Sequence, residues 1–258
     1  MAPMWALSMI CLVLHPWAMA GAGIGPQEGI ALSILNEHQV PPNAVDLRLP
    51  PTFGQTNASS KPWIPLPPGW LLGDWFITFS NQELYRLFRN FIWTLTRPCT
   101  DDACYAQEAT KLDTLASFQL ANDTQKPNAT YCAYSHDTAV AVDAYQSVPT
   151  GSLASQNNTY EIISWGYDSK GVAFIVVYET PTASQTVASL DIFSRDPSGP
   201  SSDTLNAIKV GIKRFGNRDL IELLTNVKKT PQDGGRAGDA WPSCNATCRT
   251  NEYSVPLD

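Results

Sequence analysis

The chain has 258 residues and a net charge of −7, from 17 Lys and Arg against 24 Asp and Glu. That acidic balance argues against a nucleic-acid partner and against adhesion to an anionic membrane. The length suits one domain with a sizeable core and extended ends. No apolar stretch approaches the ~20 residues that span a bilayer, so no integral membrane segment is expected.

Residues 4–14 form an uncharged apolar run, and Ala18-Met19-Ala20 is a small-x-small cleavage signature before Gly21. Residues 1–20 therefore read as a signal peptide, which places the protein in the secretory pathway, secreted or in a vesicular compartment. Five Asn-x-Ser/Thr sequons, at Asn57, Asn122, Asn128, Asn157 and Asn245, agree with that route. Three or more are expected to carry glycans. Cys11 falls in the leader, which leaves Cys99, Cys104, Cys132, Cys244 and Cys248. Neither short spacing has a histidine nearby, so the cysteines read as disulfide staples rather than metal ligands. Their odd number leaves one thiol unpaired or intermolecular, with the connectivity open.

Residues 21–68 are a proline-studded, irregular arm with a short helical turn predicted over 30–35. The run Pro65-Leu66-Pro67-Pro68-Gly69-Trp70 is too rich in proline for helix or inner strand. Strand patterning begins at Gly73-Asp74-Trp75-Phe76-Ile77-Thr78-Phe79-Ser80. A helical turn over 81–89 follows, then a strand in which Phe91, Trp93 and Leu95 alternate with Ile92, Thr94 and Thr96. Further strands are predicted at 114–120, 130–136, 140–145, 160–165, 172–178 and 190–194. The period then changes. Leu205, Ile208, Ile212 and Phe215 share one helical face, with Ser202 as N-cap and Gly216 at the C-terminal end. A last short strand is predicted over 220–227, and residues 231–258 form a tail containing glycine and cysteine. This order is all-β: an eight-stranded up-and-down antiparallel barrel over residues 69–230 with one C-terminal α-helix packed outside.

Three sites in that order resemble the lipocalins. Gly73 and Trp75 resemble the opening Gly-x-Trp. Asp168, in Tyr167-Asp168-Ser169, stands where the family has a Thr-Asp-Tyr turn. Ser194-Arg195 resembles the family's Gly-Arg. The resemblance implies that Arg195 lies across the Trp75 ring at the closed barrel end, a cation–π contact. Gly73, Trp75, Asp168 and Arg195 are thus expected to serve the fold. Signal, sequons and late helix together are similar to secreted, diverged fungal lipocalins, among them the hetero-Diels–Alderases of tropolonic sesquiterpenoid biosynthesis. Residues 194–230 also look like the lipocalin domain of violaxanthin de-epoxidase.

Beyond His15 in the leader the chain has two histidines, His38 and His136, and it lacks Gly-x-Ser-x-Gly, His-Glu-x-x-His and a Gly-rich phosphate loop. Hydrolase, metalloenzyme and nucleotide chemistry are disfavoured, and no metal or cofactor is expected. Strand alternation instead offers an aromatic lumen lined by Phe79, Phe91, Trp93, Ile162 and Phe174, suited to a small hydrophobic, partly oxygenated ligand. For any single one of these side chains, filling the core is the more common role. His136, Tyr134, Tyr160 and Tyr178 are the candidate catalytic donors. The resemblance implies a cofactor-free hetero-Diels–Alder addition of an ortho-quinone methide to a humulene-like sesquiterpene, which needs oriented binding and hydrogen-bond donors. A non-catalytic carrier of a hydrophobic ligand is the alternative, and an effector with a plugged lumen is a third.

Overall fold

A computed structural model describes residues 45–54, 62–99, 110–122, 129–236, 244 and 246–251. The expected leader, the expected turn at 30–35, His38, Cys104, Asn57, Asn128 and Asn245 lie outside these residues. Eight strands pair in chain order: β1 (Gly73–Ser80), β2 (Phe88–Thr96), β3 (Lys111–Leu120), β4 (Thr130–Ala141), β5 (Ala144–Pro149), β6 (Asn158–Tyr167), β7 (Ala173–Glu179) and β8 (Ser189–Ser194). β8 pairs with β1, and β1 pairs with β2, so the sheet closes into a lipocalin-like antiparallel barrel. A two-residue strand, β9 (Lys228–Lys229), adds to β1 from outside. The helical turn α1 (Leu84–Leu87) sits in the β1–β2 loop.

Two predicted strands have different limits. The predicted 130–136 segment runs on to Ala141, and the predicted 140–145 strand is split by a turn at Asp143. Asp143 has φ +53, a left-handed value that asparagine and aspartate tolerate better than most. The predicted strand at 220–227 is a helix, α3 (Arg218–Asn226), entered through Asn217, whose side chain accepts from the Leu220 N–H. Leu220, Leu223 and Leu224 have helical spacing and all three are buried. Hence two consecutive helices, α2 (Ser202–Arg214) and α3, pack outside rather than one. The α2 N-cap is Ser201, one residue before the predicted Ser202, and its side chain accepts from the Thr204 N–H.

Apolar residues divide into two layers. Inside the barrel, Trp75, Ile77, Trp93, Ile162, Trp165 and Phe193 belong to one cluster. Outside, Ile208 and Ile212 of α2 and the α3 leucines cover the outer face of β7 and β8, meeting Phe174, Val176, Leu190 and Ile192. Each such side chain taken fully out of water contributes roughly 1.5–3 kcal/mol. The described part of the arm joins this outer layer. Leu47 bridges to Ser164, and a Cβ on Gly211 of α2 would fall 2.1 Å from the Leu47 side chain, so the arm lies under the helix.

One barrel end is plugged. The Arg195 guanidinium carbon lies 3.8 Å from the centre of the Trp75 ring, and the ring Nε1–H donates to the Leu71 carbonyl at 2.8 Å. Arg195 also donates to the carbonyls of Asp74, Trp70 and Leu72. The Gly73 φ of +99 brings the backbone so close that a Cβ there would sit 2.9 Å from Arg195 Nη1. Asp168 does the turn work expected of it. One carboxylate oxygen accepts from the N–H groups of Lys170 and Val172, and the other accepts from the Ser201 N–H at the start of α2.

The C-terminal helix α4 (Ala246–Thr250) covers the outer face of β4. A disulfide joins Cys244 to Cys248, and Cys99 and Cys132 are disulfide-bonded as well. Asn251 accepts from the Tyr134 N–H and donates to the Tyr134 and Thr150 carbonyls. The approach is so close that a Cβ on Gly151 would lie 1.5 Å from the Thr250 carbonyl oxygen. Gly151→Ala is therefore expected to detach α4, read as faster proteolysis after Cys248 with the barrel's circular dichroism retained; an unchanged cleavage rate would contradict this.

Candidate functional site

The barrel holds a cavity of about 170 Å³ near the end opposite the plug. Tyr85 of α1 reaches it from the β1–β2 loop, and Leu153 and Gln156 reach it from the β5–β6 loop. Phe91, Trp93 and Phe193 form its apolar wall. Trp93 stands edge-on to Tyr160, with centroids 5.0 Å apart, and lies against Phe193 at the same distance.

The opposite wall is polar. Tyr160 donates its hydroxyl to Asp137 Oδ2 at 2.9 Å, while Thr114 and Ser135 also donate to Asp137. With three donors around it, Asp137 is built as an acceptor, although burial holds its pKa above the ordinary carboxylate range. Burial, then the Asp137 charge, pushes the Tyr160 phenol well up, so the ring stays neutral. Glu179 completes this wall. Its Oε2 accepts from Asn158 Nδ2 at 3.2 Å. Among the described residues, the lining contains no Lys, Arg or His.

Four of the predicted site residues meet here or beside it. Phe91, Trp93 and Tyr160 line the cavity, and Ile162 belongs to the same inner cluster. Of the other five, Tyr134 borders the cavity and the remaining four do not face it. Phe174 and Tyr178 alternate with Ala173, Ile175, Val177 and Glu179, and it is the latter set that points inward; Phe174 and Tyr178 lie under the outer helices. Phe79 is also outside, because a bulge between Ile77 and Phe79 breaks the alternation that placed it with Trp75. Cys132, Tyr134 and His136 do share one face, as alternation required, but it is the outer one. The Tyr134 ring touches the cavity's edge and otherwise packs with Leu115, Cys132 and Cys248 under α4. The His136 ring, 59% exposed, bonds Asp113 at 2.8 Å.

Glu179, Asp191, Asp137 and Tyr85 were not among the predicted residues. A signal for two of them was present. Glu179 and Asp191 each interrupt an apolar strand at a lumen-parity position, with Val177 and Phe193 two residues away. A carboxylate there has either a structural partner or a ligand.

Asn122 and Asn157 are exposed, so both sequons are sterically open to glycosylation.

No protein-family profile matches the chain. A protein described as "Botcinic acid biosynthesis cluster B protein 12", from Botryotinia fuckeliana (strain B05.10), is 29% identical, with 78% of this chain and 89% of that protein covered. Among solved structures, the siderocalin Ex-FABP aligns at 13% identity with a TM-score of 0.37, over 63% of this chain and 90% of its own. The tryptamine complex of the amine-binding protein of Rhodnius prolixus aligns at 14% identity and TM-score 0.40, over 66% and 84% respectively.

Proposed function

We propose that the protein acts in secondary-metabolite biosynthesis, taking a small hydrophobic, partly oxygenated molecule into the barrel lumen. The reaction is a cofactor-free hetero-Diels–Alder addition of an ortho-quinone methide to a humulene-like alkene. The observation that carries this reading is the cavity, lined by Phe91, Trp93 and Phe193 and by Tyr160, whose hydroxyl is held by Asp137, and Glu179. Aromatic walls orient a planar reactant, and a polar wall fixes where its oxygen sits. A relative named for botcinic acid biosynthesis supports a place in such a pathway. The leader-like run, the sequons and the Cys244–Cys248 disulfide support a secretory route.

The carrier reading is favoured by the size of the cavity. A cavity of about 170 Å³ is close to the ~150 Å³ void that accepts a benzene, and it is below the ~300 Å³ at which ligand pockets usually begin. It holds one small ring and not two reactants, unless the mouth loops move.

Product analysis separates the two. Purified glycosylated protein, mixed with a generated quinone methide and humulene, should raise the rate and bias the stereochemistry of the adduct. Trp93→Ala should scramble that bias as well as slow the reaction, because the indole forms one wall. Tyr160→Phe should lower rate more than affinity if its oxygen matters most in the transition state. A carrier binds saturably and leaves both the rate and the product ratio of the uncatalysed reaction unchanged. That outcome, with folded protein in excess, selects the carrier.

A further inference from the structure

Tyr160 has a single proton to give, and Asp137 takes it. Thr114 and Ser135 also spend their hydroxyls on Asp137. Of the cavity's remaining hydrogen-bonding side chains, which include the Tyr85 phenol, Glu179 is the one carboxyl in the described lining. Only its Oε2 is engaged, by Asn158, a donor that holds the carboxyl in place without neutralising it.

Behind Glu179 stands Asp191. The β7–β8 register pairs Glu179 with Ser189 and Val177 with Asp191, so the two carboxyls are diagonal neighbours on the inner face. Asp191 is fully buried. Its Oδ2 accepts from Ser189 and the Ser80 side chain also bonds the carboxyl, while its Oδ1 has no partner within hydrogen-bond distance. An orphaned carboxylate oxygen in a dry interior is costly. Two carboxyls facing each other with no cation in the lining cannot both be charged, so the pair retains a proton. Burial and then Asp191 hold the Glu179 pKa far above the usual range. The Tyr85 phenol, raised by desolvation and by both carboxyls, stays neutral beside them.

We propose that the Glu179 carboxyl, facing the cavity with Asp191 behind it, donates a hydrogen bond to a carbonyl oxygen of the lumen ligand. Glu179 is then a catalytic residue, and Asp191 is a positioning residue that keeps the proton in the pair. The ligand class follows from the chemistry. A neutral conjugated carbonyl compound such as a quinone methide, tropone or enone presents an acceptor where the wall offers a donor. A carboxylate would meet Asp137 and the acidic pair without a counter-cation. A donor aimed at that oxygen draws electron density out of the conjugated system, and this lowers the barrier to addition by an electron-rich alkene. The inference rests on the proposed reaction only for that last step; carbonyl recognition stands without it.

The test reads the carbonyl directly. Tropone, bound to the full chain, is followed by difference infrared spectroscopy across pH, alongside its affinity and that of benzoate. In the wild type at pH 6 the bound carbonyl stretch should fall below its value in water, and benzoate should bind about tenfold or more weaker than tropone. The stretch should return toward the water value as pH rises past about 8, where Glu179 loses its proton. The groups facing that carboxyl are Asp191 from β8, Asp137 from β4, Tyr160 from β6 and Tyr85 from α1. Glu179→Gln, matched in shape and checked for an intact melt, should lose most of the shift and all of its pH dependence. Asp191→Asn should retain the shift but move its transition to lower pH. An equal carbonyl shift in wild type and Glu179→Gln overturns the assignment, as does a transition that Asp191→Asn leaves in place. A carbonyl shift without any acceleration of the cycloaddition would keep this inference and remove the proposed reaction. Acceleration that survives Glu179→Gln, with no carbonyl shift, would do the reverse.

Discussion

Trp75→Ala is expected to cost about 3–5 kcal/mol of unfolding free energy, measured by urea denaturation. The indole is fully buried, fills the closed barrel end and bonds the Leu71 carbonyl, so its loss leaves a void that the surrounding strands cannot collapse into. Arg195→Ala should cost less. It removes a cation–π contact and three carbonyl partners, but the site opens toward solvent more readily. Since the two side chains touch, the double variant should lose less than the sum of the single losses, by on the order of 1 kcal/mol. Strict additivity would mean that the stacked geometry contributes no coupling. Gly73→Ala should resemble Arg195→Ala, because it strains a positive φ and displaces the same guanidinium.

The second large effect is a fall in stability with rising pH. Glu179, Asp191, Asp137 and Glu161 all have pKa values raised by burial. In the unfolded chain such groups ionise near pH 4. Between that value and the folded value the native state binds more protons than the unfolded one, so stability declines as pH rises. The loss begins above about pH 4 and is complete once Glu179, the highest, has passed about 8. Asp233, lowered to about 2, works the other way, and its contribution disappears only in strong acid. The melting temperature should therefore be higher at pH 5 than at pH 8.5, by on the order of 10 °C if the acidic pair supplies a few kcal/mol. Glu179→Gln should flatten the curve, matching wild type at pH 5 and exceeding it at pH 8.5. A wild-type melting temperature that is flat or rising over this range would refute the buried-proton account.

Barrel topology was legible because it depends on local alternation and on turn residues, both written in the chain. The plug was legible only through the resemblance of Gly73, Trp75 and Arg195 to the lipocalin sites, because the contact joins residues far apart in the chain. Lumen assignment failed where parity alone was used. Alternation correctly grouped Phe174 with Tyr178 and Tyr134 with His136, yet it cannot say which side of the sheet is the inside. That choice is made by distant partners: α2 and α3 claim one face of β7, and α4 with its disulfide claims one face of β4. The α3 helix was missed for a related reason. A nine-residue segment rich in Leu and Ile satisfies strand composition, and three leucines at helical spacing in so short a stretch are a weak periodic signal. Glu179 and Asp191 were not singled out because the lumen was read from its aromatic and apolar residues, and Glu179 lies one residue past the predicted 172–178 strand.

The register shifts in β1 and β6 carry a consequence for the protein's history. At Thr78 and Phe79, and again at Ile163 and Ser164, two successive residues face outward where regular alternation would allow one. Each strand thus contains a spare residue. Deleting one member of either pair would leave Ser80, Asp191, Trp165 and Ile175 facing as they do now, whereas a one-residue deletion elsewhere in the same strands would turn the lumen inside out. Single-residue gaps between this chain and its descendants should accordingly collect at these two points, letting strand length drift while the plug and the acidic wall are inherited unchanged.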